Sequence, residues 1–479
     1  MDGKYATKEL QAFGDFVLKT LWGQIEKQFP EEEIEKDPVA LTRNAHNEYA
    51  QSISHNFTGR DTWFGMISHY ISHGNNTPVV IYGEPGSGKS AFMGHVATRC
   101  LLQSEAVNVH FYVNHFVGAA EGSTNVRDML HRLCVELAAR YRIDADDIPE
   151  AFTELKDFFP ALLEKVNGKC SKNGRVVLLI DALNQLDDSY GAHRLDWLPL
   201  TFPSRIRVIL SLLPGPVLTT LQGRATWRFE NIPALDPAKK STIISNTLAR
   251  YGKKLDQKCI RSLVQKKDSY KPLYLVVACE ELRVFGVFEK LQEYISALPN
   301  SVPELFQVVL KRLEDDFGKQ VERVLCLLYL SRGGLLESEI LQLLGDYSGP
   351  LPQHIWGKIL RGLKAYLKPS SLAGEGLLDF FHQQLPKAIR KRYFNTKPKL
   401  AAEVHKELAE FFLGKSENGT WNSNYVRSFA HAPYHAYHAH LWDPLKNMLC
   451  NLAFIEKKCR YGMTFDLMAD YLVRFSSYI

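Results

Sequence analysis

The stretch Gly83-Glu84-Pro85-Gly86-Ser87-Gly88-Lys89-Ser90 constrains this chain more than any other. It reads G-x-x-x-x-G-K-S. The apolar residues Val79, Val80 and Ile81, then Tyr82, stand just before it, and residues 91–100 read as a helix just after it. Strand, glycine loop and helix, in that order, is the setting a phosphate-cradling P-loop requires. Glycine tolerates the backbone angles that turn successive N–H groups inward, and it lets the backbone approach an anion closely. A helix starting near Lys89 adds its positive N-terminal end. Lys89 can reach the β- and γ-phosphates of a nucleotide as a point charge. The Ser90 hydroxyl is a hard oxygen suited to Mg²⁺. A chance match is the alternative, and the flanking strand and helix argue against it.

From residue 77 to about 233, strands alternate with helices. The strand candidates are 79–82, 109–113, 176–180, 208–211 and 226–229. Between them lie helical stretches such as 125–141, with Val126, Leu130, Leu133, Leu137 and Ala138 on one face. Near-continuous apolar strands between helices predict an α/β fold, a parallel sheet covered on both faces. Val176-Val177-Leu178-Leu179-Ile180-Asp181 is an apolar strand ending in an acid, a Walker B pattern. Asp181 is expected to hold Mg²⁺ through water.

The remainder shows no comparable strand signal. At 479 residues the chain predicts three or four units. The expected division is a helical segment over 1–55, a P-loop NTPase domain over 56–235, a helical lid over 236–315, a winged-helix-like domain over 316–398 and a helical region over 399–479. The winged-helix reading rests on helices at 321–330, at 338–344 and after Pro386, and on a strand at 377–381. The last region has apolar faces rich enough to want a protein partner or a second copy. No internal repeat is visible.

Hydrophobic residues at 45% and charged residues at 23% are ordinary for a soluble globular protein. A net charge of +5 is too small at this length to argue nucleic-acid binding by itself. Eight cysteines without a C-x-x-C pair read as reduced thiols of an intracellular protein. The N-terminus lacks a signal-peptide core, and no apolar run reaches the length of a membrane span. The expected location is cytoplasmic.

The chain resembles the STAND-class P-loop NTPases of the NACHT type, as found in telomerase-associated and nephrocystin-like proteins. The resemblance rests on Gly83 to Ser90, on Phe111-Tyr112-Val113-Asn114-His115-Phe116-Val117-Gly118, on Ile180-Asp181-Ala182-Leu183-Asn184-Gln185-Leu186 and on Trp197-Leu198-Pro199. It continues through Lys271-Pro272-Leu273-Tyr274-Leu275 and Phe380-Phe381-His382. It implies a switch held by ADP or driven by ATP, with Mg²⁺, in which NTPase, lid and winged helix close over the nucleotide. It implies that Gly59 and Arg60 lie near the adenine, that Pro272 packs on the base, and that His382 touches the β-phosphate in the closed form. The other reading of His382 is a core-edge histidine after a strand.

Two departures bear on turnover. NACHT modules often carry Asp-Gly-x-Asp-Glu where this chain has Asp181-Ala182-Leu183-Asn184-Gln185. Asn184 and Gln185 can orient water but are poor general bases. Asp187 or Asp188 are substitutes by position, and are also ordinary loop acids. Many relatives place an arginine after the fourth core strand, whereas this chain has Ser211-Leu212-Leu213-Pro214; Ser211 can still bond near the phosphate. Both departures predict nucleotide binding with slow hydrolysis.

Other stretches lead elsewhere. His431, His435, His438 and His440 invite a metal reading, but no cysteine or acid stands at ligand spacing. Arg390, Lys391, Arg392, Lys397 and Lys399 form a basic cluster that fits a charged helix end or a nucleic-acid contact. Asn56-Phe57-Thr58 fits a glycosylation sequon that a cytoplasmic protein would not use. A signalling or assembly switch is therefore the leading reading. An ATPase remodeller and a ribonucleoprotein or nucleic-acid scaffold are the alternatives. The family's repeat array and effector domain are not visible, which predicts a fragment, a short isoform or a lone module.

Overall fold

The computed structural model describes residues 16–17, 19–21, 23–24, 38–55, 57–107, 110–120, 122–144, 147–286, 288–347, 349–368, 377–416, 419–421 and 423–475. The chain divides after Asn44 into two units. In the first unit the described residues are helical, Phe16, Val17 and Leu21 among them. Of the helical segment expected over 1–55, residues 1–15, 18, 22 and 25–37 lie outside the described residues.

In the second unit, helix α1 (Pro38–Ser54, entering from the first unit) and α2 (Asp61–His73) lead to β1 (Val79–Tyr82) and α3 (Lys89–Val107). Then come β2 (His110–Phe116), α4 (Val126–Tyr141), α5 (Phe152–Lys169), β3 (Arg175–Asp181), β4 (Ile206–Leu212), α6 (Pro216–Gln222) and β5 (Arg228–Asn231). The five strands form one parallel sheet in the order β2-β3-β4-β1-β5. Strand β4 thus lies between the P-loop strand and the strand that ends in Asp181. The expected strand at 226–229 begins two residues later, and the second strand runs on to Phe116.

Strand β3 shows why the sheet is covered on both faces. Val176, Leu178 and Ile180 enter the core made with Val126, Leu130 and Leu133 of α4 and Leu155 and Leu162 of α5. Val177 and Leu179 point the other way, to Ala50, Ile53, Ile67, Phe92 and Val96 of α1, α2 and α3. Side chains of a strand alternate between faces, so a strand buried on both must be apolar throughout. The one charged exception on β4 is Arg207, 2% exposed. Its guanidinium donates to the carbonyls of Tyr70, Gly74, Ser204 and Ile206, and so ties the C-terminal end of α2 to the sheet. Carbonyls at a helix end are the partners a cation prefers.

Beyond the sheet the chain is helical: α7 (Pro237–Ala249), α8 (Gln257–Val264), α9 (Pro272–Val284), α10 (Leu291–Ala297), α11 (Val302–Phe317) and α12 (Lys319–Leu330). A two-stranded antiparallel pair follows, β6 (Leu335–Leu336) with β7 (Leu377–Leu378), enclosing α13 (Glu337–Leu343) and α14 (Gln353–Leu363). The expected strand over 377–381 is shorter, with an isolated bridge from Phe380 to Leu367. Helices α15 (Gln384–Ile389), α16 (Leu400–Gly414), α17 (Val426–His438), α18 (Trp442–Leu449), α19 (Leu452–Arg460) and α20 (Thr464–Phe475) complete the chain. One continuous apolar core runs through this half, from Leu235 to Leu467.

Candidate nucleotide site

The loop between β1 and α3 has the geometry of an anion cradle. Gly86 (φ 80°) and Gly88 (φ 87°) are left-handed, where other residues are strained. A side chain there would also crowd its neighbours. A Cβ on Gly86 would lie 3.0 Å from Leu273 Cβ, and one on Gly88 would lie 3.1 Å from Arg60 Nη1 and 3.3 Å from Pro272 Cγ. Glu84 and Pro85 open the turn, which Ser87 N closes on Glu84 O at 3.2 Å. The Lys89 ammonium donates to the carbonyls of Gly83 (2.7 Å) and Glu84 (3.0 Å) and lies 3.5 Å from Ser87 Oγ. Burial lowers its pKa to about 8, with Asp181 pulling the other way. It therefore stays cationic at neutral pH.

Sheet register brings the acid to the same place. Ser211 pairs with Ile81, while Leu210 pairs with Ile180, so Ser211 sits between the P-loop strand and Asp181. Its hydroxyl donates to Asp181 Oδ1 and accepts from the Ala182 N–H at 3.0 Å. The Ser90 hydroxyl stands close enough to Asp181 to favour its charged form. Burial raises the Asp181 pKa, and the bond from Ser211, the nearby Ser90 hydroxyl and the charge of Lys89 oppose that rise. Glycine cradle, ammonium, hydroxyl and carboxylate converge as a Mg²⁺–polyphosphate group demands. These residues fit such a group. Ser90 would ligate the metal and Asp181 would hold it through water.

Arg60 (φ 64°) leans over the loop. Its guanidinium donates to Ser87 O at 2.6 Å, Pro233 O at 3.2 Å and Gly88 O at 3.5 Å. Burial lowers its pKa to about 10. Gly59 (φ 87°) faces Lys239 of α7, whose Cδ would lie 3.1 Å from an added Cβ. Pro272 opens α9, a position where a missing N–H costs nothing. The next residue, Leu273, donates its N–H to Gly86 O at 3.3 Å. Tyr270 and Lys271 hold the Glu84 carboxylate and lower its pKa. No sequence pattern pointed to that grip on Glu84.

The other expected site residues make no hydrogen bond to Gly83–Ser90. Asn184 Oδ1 accepts from the Leu213 N–H at 2.9 Å, so its amide braces the exit of β4. Gln185 Oε1 accepts from Gln383 Nε2 at 3.3 Å. Asp187 caps its own loop, accepting from Ser189 N and Thr124 Oγ1, and Asp188 faces His193. His382 makes no hydrogen bond to Gly83–Ser90. Its ring stands edge-on to Phe381 at 4.4 Å, and burial lowers its pKa to about 4. The 431–440 histidines pack on aromatic rings, and no group of three or more metal-ligating side chains is found among the described residues.

Residues 56–210 match the family described as the AAA ATPase domain. Over 92% of its length the chain is 26% identical to a TPR repeat-containing protein of Dictyostelium discoideum. Over 87% it is 27% identical to the NACHT domain- and WD repeat-containing protein 1 of Homo sapiens. Over 99% it is 25% identical to the Telomerase protein component 1 of Mus musculus. The chain spans 30%, 30% and 19% of those three proteins. Loop, parallel sheet and relatives agree that this chain resembles the NACHT-type P-loop NTPases over most of its length, with a nucleotide-binding AAA-like domain in its N-terminal half.

Proposed function

We propose that the chain is a STAND-type molecular switch that binds ATP or ADP with Mg²⁺, hydrolyses slowly, and serves signalling or complex assembly in the cytoplasm. The observation that carries this reading is the meeting of Lys89, Ser90, Asp181 and Ser211 beneath a loop that Arg60 covers together with Tyr270, Lys271 and Pro272 of the lid. Bound Mg²⁺ would supply charge neutralisation between the phosphates. The chain's own part is positional. Lys89 turns from the Gly83 and Glu84 carbonyls toward the β/γ-phosphates, and the loop N–H groups receive their oxygens. Gly59, Arg60 and Pro272 form the wall proposed for the adenine.

Slow turnover is supported by the commitments of the two amides. Asn184 is tied to Leu213 and Gln185 to Gln383, and neither is a competent base. In the switch, residues 236–315 serve as lid and 316–398 as the winged-helix-like part that brings His382 to the closed site. A His382 ring that is neutral at pH 7 would act as an uncharged hydrogen-bond donor. Relatives named for TPR and WD repeats support protein partners. Calorimetric titration with ATP and ADP, with and without Mg²⁺, tests the reading. Lys89→Ala is expected to abolish binding, and an unchanged affinity in that variant would reject it.

A further inference from the structure

The strand ends that carry Asp181 are gripped from outside the NTPase domain. Lys368 Nζ donates to Gly118 O at 2.6 Å and to Asp379 Oδ2 at 2.5 Å. Gly118 belongs to the turn that leaves β2, and this turn is wired to the acid strand. Val117 N donates to Asp181 O at 3.2 Å, Asp187 N donates to Thr124 O at 2.9 Å, and Ser123 Oγ receives the N–H groups of Gly118 and Ala120. The same outer segment makes two more contacts there. Phe381 lies 6.4 Å from the Tyr49 ring, which itself packs 5.4 Å from Phe116, the register partner of Asp181. Gln383 bonds Gln185.

The segment is also rigidly held from behind. Lys368 N donates to Asp379 O at 2.7 Å and Phe381 N to Tyr366 O at 2.9 Å. Tyr366 donates its hydroxyl to Glu281 of α9 at 3.0 Å, and Arg312 pairs with the same fully buried carboxylate. Helix α9 is the one whose first turn bonds Gly86. Lys368 and the P-loop are thus two ends of one connected set of bonds.

We propose that Lys368, oriented by Asp379, is the positioning residue through which the C-terminal half reads the state of the nucleotide site. The proposal rests on the switch reading above. Ser211 bonds Asp181 here, and that bond would be given up once the carboxylate turned to a metal-bound water. The displacement passes from the Asp181 carbonyl to Val117 N, moves Gly118 O, and loosens the Lys368 grip. A charge-assisted bond is strong enough for such a change to shift the docked population about tenfold. His382 is not required for this step.

Hydrogen exchange on the full chain tests it, read at 117–124 and 377–383, with ADP and EDTA and with a non-hydrolysable ATP analogue and Mg²⁺. The wild type is expected to exchange about tenfold faster there with the triphosphate analogue. Lys368→Met should exchange fast in both states, Asp379→Asn should fall between, and Lys368→Arg should restore the difference. Calorimetry should show that Lys368→Met still binds both nucleotides within about threefold of wild type, since the residue does not touch the P-loop. Binding of both nucleotides with no difference in exchange overturns the Lys368 proposal and leaves the switch reading standing. So does a nucleotide response retained by both Lys368→Met and Asp379→Asn. Failure of the wild type to bind either nucleotide overturns both.

Discussion

Tyr270 donates a 2.8 Å hydrogen bond to Glu84, and Lys271 reaches the same carboxylate oxygen at 3.0 Å. This pair joins the turn before α9 to the second residue of the P-loop. Glu84 is more than half exposed, so solvent screens most of the ionic attraction. Tyr270→Phe should therefore shift melting by no more than about 2 °C and speed nucleotide release about threefold or more. Release of a fluorescent ADP analogue in stopped flow checks it. The sign with pH is fixed by the lowered Glu84 pKa. The contact is complete above the ordinary glutamate value of 4.5 and is lost as pH falls below it.

Ala182 follows Asp181 with φ 64°, ψ 41°, a left-handed conformation that costs a non-glycine residue roughly 1–2 kcal/mol. Relatives of this type often place glycine there. Glycine would remove that strain and lose part of the gain to a freer unfolded chain. Ala182→Gly should raise the melting temperature of the NTPase domain by about 2 °C. A fall would show that the alanine methyl packs too well to give up.

Acid should loosen the packing of α16 on α17. His405 Nδ1 lies 2.9 Å from His435 Nδ1, and the His438 ring stacks on His405. Burial lowers the pKa of His405 to about 4, and burial with neighbouring His, Arg332 and Arg427 charges lowers that of His435. A buried neutral histidine contributes stability that is present above its unfolded value of 6.5 and is lost as pH falls through it toward 4. For His405 the full loss is at most about 3 kcal/mol. Melting should drop between pH 7.5 and 5, and His405→Gln should flatten the dependence. A flat wild-type profile would contradict this account.

Hydrolysis should be slow because no acid stands at 184 or 185. Steady-state turnover is expected well below the roughly 10 s⁻¹ typical of enzymes. The double variant Asn184→Asp, Gln185→Glu keeps an acceptor for Leu213 N and supplies a base. It should raise the rate about tenfold or more. Phosphate release assays decide it. A fast wild type that loses activity on Lys89→Ala would reject the switch reading.

The sheet and the P-loop were legible because they are local. Gly83 to Ser90 is one continuous motif, and the apolar run from Val176 to Asp181 carries its own strand signal. Much else was hidden because it depends on distant partners. Helix α14 (Gln353–Leu363) was missed, although Trp356, Ile359 and Leu363 repeat at helical spacing. Helix α2 was missed behind a histidine- and aromatic-rich sequence whose apolar side matters only against the sheet. The roles of Tyr270, Lys368 and Tyr49 could not be read from the chain, since residues 186, 250 and 332 positions from their counterparts Glu84, Gly118 and Phe381 give no local signal. Asn184 was assigned to water by position, and its bond to Leu213 emerged only from the packing of β3 on β4.

Native mass spectrometry of the purified chain tests the central claim most directly. The account predicts one adenine nucleotide, with Mg²⁺, on each wild-type chain and none on Lys89→Ala, while both variants keep the same charge-state envelope. Equal nucleotide content in the two proteins, or guanine nucleotide in the wild type, would contradict it.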